Sequence, residues 1–323
     1  MISCQGAPKA SIVIVCMNRM DNLYPCLTSI REQVRVPAEV LVTAYLFSKE
    51  NLEAAKKDFP WVKFIESNEP RGFSENNNLA LRQAQGQYIF ILNDDTELHE
   101  DVIAKLIADF EKLPENAAIV CPKLLNADGS LQLCGRPPYP ARYYVLQQWH
   151  MHKEPIDDTP GKTAEFGEVF RTSNISGAAF LIKAGIFRKM GWFDETYFFT
   201  PEDIALSTLA RRLGYGVYVD RAVSVTHKWR TTASKISTAV RPAAVRGSLI
   251  FFSGGRALKY LLIAVPVWMA EMSKRIKAAF RQALHPSEEN LIKLLTFRSI
   301  TRAIFTTRTP KELFLREYAK LKK

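Results

Sequence analysis

The sequence lacks the features of a secreted or membrane-spanning protein. Its five cysteines are an odd number without the spacing of a metal site, which favours a reducing compartment and no disulfide framework. No apolar run reaches the roughly 20 residues that a membrane-spanning helix needs. Residues 11–17 are apolar but few, and without a cleavage site they are typical of a first strand, so we expect no signal peptide.

Negative charge is scarce at the C-terminal end of the chain. Residues 254–323 contain 15 Lys and Arg against 5 Asp and Glu, a net charge of +10, whereas residues 1–253 contain 29 and 28, a net charge of +1. A neutral body with a basic end predicts an anionic surface as partner. Nucleic acid fits that role poorly, because the body has no basic groove interleaved with aromatic residues.

Short apolar runs alternate along the body with stretches of helical periodicity. The runs predict strands at residues 10–17, 40–46, 62–65, 88–92, 119–122, 174–182 and 214–219, after which residues 223–227 are expected to bring the chain back. The stretches between them predict helices at residues 23–32, 51–59, 78–84, 101–113, 183–190 and 204–213. This alternation predicts an α/β fold with a doubly wound, mostly parallel sheet.

The apolar run at residues 88–92 leads directly into three oxygen-bearing side chains, Asn93, Asp94 and Asp95. Ligands of open α/β sheets bind beyond the carboxyl ends of the strands, and carboxylate oxygens suit Mg²⁺ or Mn²⁺. The segment therefore predicts a metal site that accompanies a phosphate. An alternative stays open, in which Asp95 or Thr96 caps a helix that begins near His99.

Two other groups of polar residues predict helix caps. Asp21 or Asn22 is expected to cap the helix at residues 23–32. Asn76, Asn77 and Asn78 are interpreted either as a plain helix cap or as part of a ligand site.

The middle of the chain has no clear periodicity. Residues 135–168 contain five prolines, and such a long irregular segment is typical of a functional or mobile loop. His150 and His152 are interpreted as a solvated pair rather than metal ligands, because no carboxylate cluster accompanies them.

Several motifs, taken in order, resemble glycosyltransferase family 2, the inverting enzymes of the GT-A fold, and within it the bacterial polysaccharide rhamnosyltransferases. The resemblance covers about residues 10–230. Its motifs are the Asn-rich segment at residues 68–84, Leu92-Asn-Asp-Asp-Thr96, residues 176–182 followed by residues 191–195, Glu202-Asp203, and Thr226-His227.

The resemblance implies a fold and a domain division. The fold is the α/β GT-A nucleotide-diphospho-sugar transferase fold, a Rossmann-like, mostly parallel sheet flanked by helices. Residues 1–240 would form this domain, with a donor half at about 1–125 and an acceptor half at about 126–240. Residues 241–323 lie outside the resemblance, and their basic, amphipathic stretches predict a helical C-terminal region.

The resemblance assigns the metal to two residues. Asp95 and His227 would bind Mg²⁺ or Mn²⁺, and Asn93 and Asp94 would contact the metal, the ribose or a ligating water. Alone, His227 is typical of a surface histidine near Trp229, so its assignment depends on the family position.

The resemblance also implies a carboxylate base. Asp203 would take the proton of the acceptor hydroxyl, with Glu202 as the alternative base or as a residue that orients the acceptor. Without the resemblance, the same pair is an ordinary helix N-terminus. Many family members have a further acid two residues after this Asp, where the present chain has Ala205.

The residues implied to contact the donor nucleotide end strands or begin helices. They are Asn18, Arg19, Arg71, Gly72, Phe73 and Asn78. The family usually has an Asp after the second strand that binds the base, but residues 42–47 contain no acid. The base would then be recognised through backbone groups of Thr43, Ala44 or Tyr45, and both dTDP and UDP stay open as the nucleotide.

The acceptor is expected to contact Gly177, Ala178, Trp192 and the proline-rich residues 135–161. Two interpretations of Trp192 are open, because an aromatic ring at this position either stacks on a sugar or belongs to the core.

The function implied is an inverting glycosyltransferase. It would move a sugar, rhamnose by analogy, from a nucleotide diphosphate to a glycan or lipid-linked saccharide in bacterial surface polysaccharide or O-antigen synthesis. The alternative is a non-catalytic relative that binds a nucleotide sugar or a glycan.

The expected location is the cytoplasm, on the inner face of the bacterial cell membrane. Residues 241–323 would lie on the anionic membrane surface. The alternative for these residues is a dimerisation or packing bundle.

Overall fold

The computed structural model describes residues 7–132, 134–153, 166–229 and 236–321. The chain divides into two compact units. The sheet unit comprises Met1–Pro138, Pro155–Asp194 and Asp203–Arg230, and the helical unit comprises Tyr139–Glu154, Glu195–Glu202 and Thr231–Lys323. The helical unit thus takes in two short segments that precede the predicted C-terminal region.

Strands and helices alternate through the sheet unit, as the sequence predicts. The described strands are β1 (Ala10–Cys16), β2 (Ala38–Tyr45), β3 (Val62–Ser67), β4 (Tyr88–Asn93), β5 (Thr96–Leu98), β6 (Ala117–Leu125), β7 (Gly135–Arg136), β8 (Val169–Arg171), β9 (Asn174–Ile175), β10 (Ala179–Lys183) and β11 (Gly216–His227). The described helices are α1 (Met20–Gln33), α2 (Lys49–Asp58), α3 (Phe73–Leu81), α4 (Val102–Lys112), α5 (Ala141–Gln148), α6 (Ala184–Lys189), α7 (Glu202–Arg212), α8 (Ser237–Ser253), α9 (Ala257–Leu284), α10 (Glu288–Ala303) and α11 (Pro310–Leu321).

The main sheet has nine strands in the order β3-β2-β1-β4-β10-β6-β11-β5, with β8 also paired to β11. Strands β1, β2, β3, β4, β6 and β11 run in one direction, and β5, β8 and β10 run against them. The predicted mostly parallel α/β sheet is confirmed. Its central strands are apolar on both faces because residues of α1, α3 and α4 join them in one core.

One edge of the sheet collects the residues that the sequence singled out. Ala179, at the start of β10, pairs with Leu92 near the end of β4. Thr226, at the end of β11, pairs with Leu125 at the end of β6. The carboxyl ends of three parallel strands and the start of an antiparallel one therefore meet at this edge, where open α/β sheets bind ligands.

The start of α1 differs from the prediction. The helix begins at Met20 rather than residue 23, and its N-cap residue is Arg19, which makes no side-chain cap. The Asp21 carboxylate instead accepts hydrogen bonds from the Arg19 guanidinium at 2.9 and 2.7 Å. The predicted cap at Asp21 or Asn22 is therefore wrong.

The start of α3 also differs. The helix begins at Phe73, five residues before the predicted start at residue 78, and the Glu75 carboxylate accepts a hydrogen bond from the Gly72 N–H at 3.1 Å. The three asparagines that looked like a cap are buried inside the helix, so that interpretation is wrong.

The helix after β4 is capped by a different residue from either candidate. Asp101 is the N-cap of α4, and its carboxylate accepts a hydrogen bond from the Ala104 N–H at 3.2 Å. Thr96 begins β5, and no helix starts near His99. The helix-cap alternative for Asp95 and Thr96 is therefore wrong.

Three further segments differ in detail. The predicted strand at residues 174–182 is divided into β9 and β10 by residues 176–178. The predicted final strand at residues 214–219 continues to His227 as the single strand β11, with a register irregularity between Asp220 and Ser224. The described part of residues 135–168 is not wholly irregular, since it contains β7 and α5.

The helical unit has its own apolar core. Residues of α5, α8, α9 and α10 pack together around Leu249, Ile263, Val267 and Ile300. A second cluster joins Phe198 to Phe314 of α11, with ring centroids 4.5 Å apart. The predicted helical nature of the C-terminal region is confirmed. Among the described helices, none combines the length and the apolar character that crossing a membrane requires.

The two histidines of the proline-rich segment lie in the helical unit. The His152 ring stacks on Tyr143 with centroids 4.3 Å apart and is half-buried, whereas His150 is exposed. The solvated interpretation thus holds for His150 and is wrong for His152.

Candidate active site

The candidate site is built on the loop between β9 and β10. The Asn93 N–H donates to the Ala178 carbonyl at 2.9 Å, which fixes this loop against the end of β4. A Cβ atom added to Gly177 would lie 3.5 Å from the Asp203 Cβ. The loop therefore brings the start of α7 to the edge of the sheet that carries Asp94 and Asp95.

His227 and Asp95 form a close pair. β5 pairs with β11 so that Thr96 lies opposite His227, which places the histidine ring beside the preceding residue of the chain, Asp95. His227 Nε2 lies 3.2 Å from Asp95 Oδ1 and 3.4 Å from Asn93 Nδ2. Both side chains of the pair are buried, at 7% exposure each.

The tautomer of His227 follows from Gln132. The Gln132 amide nitrogen donates to the carbonyls of His227 and Leu125, so its amide oxygen must face the ring. That oxygen lies 2.8 Å from His227 Nδ1 and accepts the ring N–H. In the neutral ring, Nε2 therefore carries a lone pair that is directed at Asp95.

A lone pair and a carboxylate oxygen 3.2 Å apart repel each other unless a proton or a metal ion lies between them. Two ligands at adjacent corners of an octahedron are about 3 Å apart when metal–ligand distances are about 2.1 Å. The His227–Asp95 pair thus fits Mg²⁺ or Mn²⁺. In the described part of the chain, no group of three or more His, Cys, Asp and Glu is arranged to hold a metal ion. Two protein ligands leave the other positions to water and phosphate oxygens.

Asp94 lies beside this pair in a different environment. Burial raises the pKa of its carboxyl to about 7, and the charge of Asp95 adds to the rise. A hydrogen bond from Cys16 and the charge of Arg19 oppose it. A cation bound near the Asp94 and Asp95 carboxylates would offset this cost of ionising Asp94.

The residues predicted to contact the base and ribose mostly make structural hydrogen bonds. Asn18 adopts a left-handed conformation, with φ 52°, and its side-chain oxygen accepts hydrogen bonds from Ser48 and Asn51 at 3.2 and 2.9 Å. The fully buried Thr43 hydroxyl donates to the Asn76 carbonyl at 2.9 Å. The Thr43 side chain is therefore engaged within the fold and is not available to a base.

Arg71 and Gly72 stand at the entrance of α3. The Arg71 N–H donates to the Tyr45 hydroxyl at 3.1 Å, and its guanidinium donates to Ser67 and Glu69 at 3.1 and 3.0 Å. The side chain is therefore held beside the carboxyl ends of β2 and β3, where a nucleotide would approach.

The side chains of Phe73 and Asn78 contact Phe193 instead of the carboxyl ends of β2 and β3. The Phe73 ring packs edge-on against Phe193 at 5.8 Å between centroids. The Asn78 amide donates to the Phe193 carbonyl at 2.9 Å and accepts from the Phe193 N–H at 3.1 Å. Asn78 thus ties α3 to the turn after α6, and its side chain serves the fold.

Trp192 belongs largely to the core. Its ring lies edge-on to Phe187 at 5.2 Å between centroids, and the Arg188 guanidinium lies 5.8 Å from its centre. Trp192 also adopts a positive φ of 67° in the turn after α6. This packing favours the core interpretation over a stacking surface for a sugar.

Asp203 has a partner that the sequence analysis missed. One oxygen accepts a hydrogen bond from the Ile204 N–H at 2.7 Å, and the other lies 3.8 Å from the Arg136 guanidinium. Both side chains of this ion pair are mostly buried. Glu202 precedes Asp203 as the first residue of α7 and belongs to the helical unit.

The signals for the two missed residues are unequal. Arg136 is the first cation in the proline-rich segment that the resemblance assigns to the acceptor, and that position could have drawn notice. Gln132 has no comparable signal, because nothing in the spacing of the sequence connects it to His227, 95 residues later.

Comparisons with known proteins give this geometry its context. Residues 11–164 match the model of glycosyl transferase family 2. This part of the chain is a family 2 glycosyltransferase domain. Asp94 and Asp95 lie inside the matched range, whereas Asp203 and His227 lie beyond it.

Two curated relatives are similar in sequence to part of this chain. The chain is 25% identical over 245 residues to the O-antigen biosynthesis protein RfbC of Myxococcus xanthus, covering 74% of this chain and 18% of that protein. It is 30% identical over 104 residues to the GalNAc(5)-diNAcBac-PP-undecaprenol beta-1,3-glucosyltransferase of Campylobacter jejuni, covering 31% of this chain and 34% of that protein. The chain therefore spans about a fifth of the first relative and a third of the second.

Solved structures share the fold. The crystal structure of GalNAc-T7 with UDP, GalNAc and Mn²⁺ superposes with a TM-score of 0.58 at 18% identity, covering 98% of this chain and 57% of that chain. The family 2 domain thus has the GT-A fold that the sequence predicts.

Proposed function

We propose that the chain is an inverting glycosyltransferase whose donor is a nucleotide-diphosphate sugar. One observation carries the proposal: the buried His227–Asp95 pair, oriented by Gln132, lies on the same sheet edge as Asp203. A metal-binding pair and a carboxylate base are the two groups that this reaction requires.

Different residues of the chain would bind the metal ion and accept the proton. Asp95 and His227 would hold Mg²⁺ or Mn²⁺, and Asn93 and Asp94 would face the same side. The bound ion would offset the charge of the leaving nucleoside diphosphate. Asp203 would accept the proton of the acceptor hydroxyl as that oxygen bonds to the anomeric carbon and the bond to the diphosphate breaks on the opposite face, which gives inversion. Arg136 would keep the Asp203 carboxylate in one orientation.

The donor and acceptor are proposed at the level of class. The nucleotide is dTDP or UDP, held near Arg71 and the backbone at Thr43, and the sugar is a hexose or rhamnose. The names of the two bacterial relatives support a glycan or lipid-linked saccharide as acceptor and surface polysaccharide synthesis as the process. The loop at Gly177 and Ala178 would contact the acceptor.

The proposed place of action is the cytoplasmic face of the bacterial cell membrane, reached through the helical unit. A lipid-linked acceptor would explain why a transferase docks there. The basic C-terminal region supports the proposal.

A non-catalytic binding protein is the second candidate. The absence of an acid after β2 favours it, because the usual contact to the base is missing. Such a protein would bind the nucleotide sugar or the glycan and would turn over neither.

The test is a donor screen by thermal shift, with UDP-, dTDP- and GDP-sugars in Mn²⁺, in Mg²⁺ and in EDTA. A ligand at 100 times its dissociation constant stabilises the protein by about 2.7 kcal/mol, so the melting temperature should rise with one nucleotide and fall back in EDTA. No rise with any donor would argue against the transferase.

Asp203→Asn separates the two candidates. Loss of the general base should lower turnover by about 10²- to 10⁴-fold, while the donor-induced thermal shift stays as in the wild type. The rate of product formation is measured with the donor identified in the screen. The anomeric configuration of the product is determined by NMR. Full turnover by this variant would remove Asp203 as the base, and no turnover by the wild type would favour the binding protein.

A further inference from the structure

The helical unit contains a cavity of about 470 Å³ where the turn between α8 and α9 meets the end of α10. Two arginines, Arg246 and Arg256, lie in its wall together with the hydroxyl-bearing Thr306 and Thr307. Leu261 and Phe305 supply apolar surface. Among the described residues, no Asp or Glu lines the cavity, so it is suited to an anion that carries an apolar group.

The two arginines differ in their contacts. Arg246 is fixed, because its guanidinium donates to the Tyr260 hydroxyl and, at 3.3 Å, to the Arg308 carbonyl. Within the described ranges, the exposed side chain of Arg256 has no hydrogen-bond or ion-pair partner. The cavity therefore has one positioned cation and one that is available to a ligand.

An apolar stripe leads away from this cavity along α9. Its members are exposed and recur at three-, four- and seven-residue spacing, which places them on one face of the helix: Leu258, Leu261, Leu262, Val265, Met269, Ile276, Phe280 and Leu284. The opposite face of the helix, with Ile263, Ala264 and Val267, is buried in the core of the unit. Since Leu261 belongs to both the stripe and the cavity wall, the two surfaces are continuous.

The charges of α9 identify what the stripe fits. Its one acid, Glu271, is buried and bonded to Lys274 at 2.6 Å, whereas Lys259, Lys277 and Arg281 are exposed. The 28 residues of the helix are about 42 Å long, which suits a helix lying in the plane of a membrane interface. A second copy of this chain would bring the same positive charges and is disfavoured.

We propose that the cavity binds the phosphate of an anionic membrane lipid while the α9 stripe lies among the acyl chains. This inference rests on the membrane association in the proposed function and assigns it to residues. Arg256 donates to the lipid phosphate beside the fixed Arg246, and the chain of the lipid leaves over Leu261. The helical unit is thereby held at one depth and in one orientation.

The first experiment is vesicle flotation of the full chain, with phosphatidylcholine vesicles that contain or lack phosphatidylglycerol. Arg256→Ala should weaken binding to the anionic vesicles by about tenfold or more, because it removes hydrogen bonds to a charged group. Arg298→Ala is the matched control, since it removes the same charge from an exposed position of α10 outside the cavity wall. Its loss should stay below about fivefold. Equal losses in the two variants would overturn the phosphate site.

The stripe is tested by the double variant Leu262→Ser and Phe280→Ser, both at exposed positions. Binding to both kinds of vesicle should be lost, with an unchanged elution volume on a sizing column. A change from dimer to monomer with unchanged vesicle binding would instead make the stripe a dimer interface and overturn the proposal.

A second measurement identifies the source of the phosphate. Lysophosphatidic acid below its micellar concentration should raise the melting temperature of the wild type and of Arg298→Ala, but not that of Arg256→Ala. Glycerol 3-phosphate, which has the same head group without a chain, should act far more weakly. Equal effects of the two compounds would assign the cavity to a soluble phosphate and refute the lipid. The donor-induced thermal shift, recorded on the same variants, reports separately on the proposed transferase site.

Discussion

At the scale of single residues, Gln132 decides what His227 is able to bind. A glutamine amide has a donor end and an acceptor end, and two backbone carbonyls hold the donor end in place. The acceptor end then fixes the proton of the ring on Nδ1, so the lone pair of Nε2 faces Asp95 and is available to the proposed metal ion. A neighbour that orients a metal-binding histidine in this way also raises its basicity.

Gln132→Leu should weaken Mn²⁺ binding by about 10- to 100-fold, because the ring loses the acceptor that sets its tautomer. The Mn²⁺ dissociation constant is measured by titration with EPR detection of the free ion. Gln83→Leu makes the same chemical change at an exposed position and should bind Mn²⁺ like the wild type. A variant that melts at a lower temperature but keeps the wild-type dissociation constant would show that Gln132 serves only the fold.

The sequence allowed part of this site to be predicted, and the rest depends on tertiary geometry. Asp95 and His227 were expected to share a metal, and the structure brings them to 3.2 Å. Gln132 and Arg136 were not expected, because a contact between residues far apart in the chain leaves no local pattern. Asn78 was expected near the donor for its place at a helix start, yet its amide is bound to Phe193, 115 residues later.

At the scale of elements, the apolar runs identified every long strand of the sheet, while helix starts were less predictable. α3 is the clearest case. Its polar residues looked like a cap because asparagines commonly satisfy free N–H groups at helix ends. In the fold they satisfy groups elsewhere, since Asn76 accepts from the Ser67 hydroxyl at 2.7 Å and Asn78 binds the backbone of Phe193. Tertiary hydrogen bonds, which a local pattern does not contain, set the start of this helix.

Asn78→Ala should therefore lower the free energy of unfolding by about 2 kcal/mol, because the buried N–H and C=O of Phe193 both lose their partner. Asn77→Ala is the control within the same helix, since the Asn77 amide donates to Phe73 of its own helix. Its loss should be smaller. Urea unfolding of both variants followed by circular dichroism measures the difference, and equal losses would contradict a special role of Asn78.

At the scale of the whole molecule, positive charge is concentrated in the C-terminal region, as the sequence alone reveals. What composition does not reveal is that α9 presents apolar residues on two opposite faces, one buried and one exposed. Charge and exposed apolar surface contribute separately to the proposed membrane association, and salt screens only the first.

Binding to vesicles containing phosphatidylglycerol should accordingly weaken as NaCl rises from about 0.1 to 1 M, since the screening length falls from about 10 to 3 Å. A residual fraction, held by the α9 stripe, should persist at the highest salt. Flotation across the salt series measures both parts. Binding that does not change with salt would mean that the basic residues contribute nothing. Complete release from the vesicles at the highest salt would mean that the α9 stripe contributes nothing.

The position of β10 has a consequence for the order in which the protein is made. β10 lies between β4 and β6, yet Ala179 follows Asn93 by 86 residues. A ribosome adding about 5 to 20 residues per second needs roughly 4 to 17 s to bridge that interval. During this interval β4 has an unpaired edge, and β6, once made, lacks both of its neighbours, β10 and β11. The edge that carries Asp95 and His227 closes only after β11, which follows β10 in the chain, has also been made.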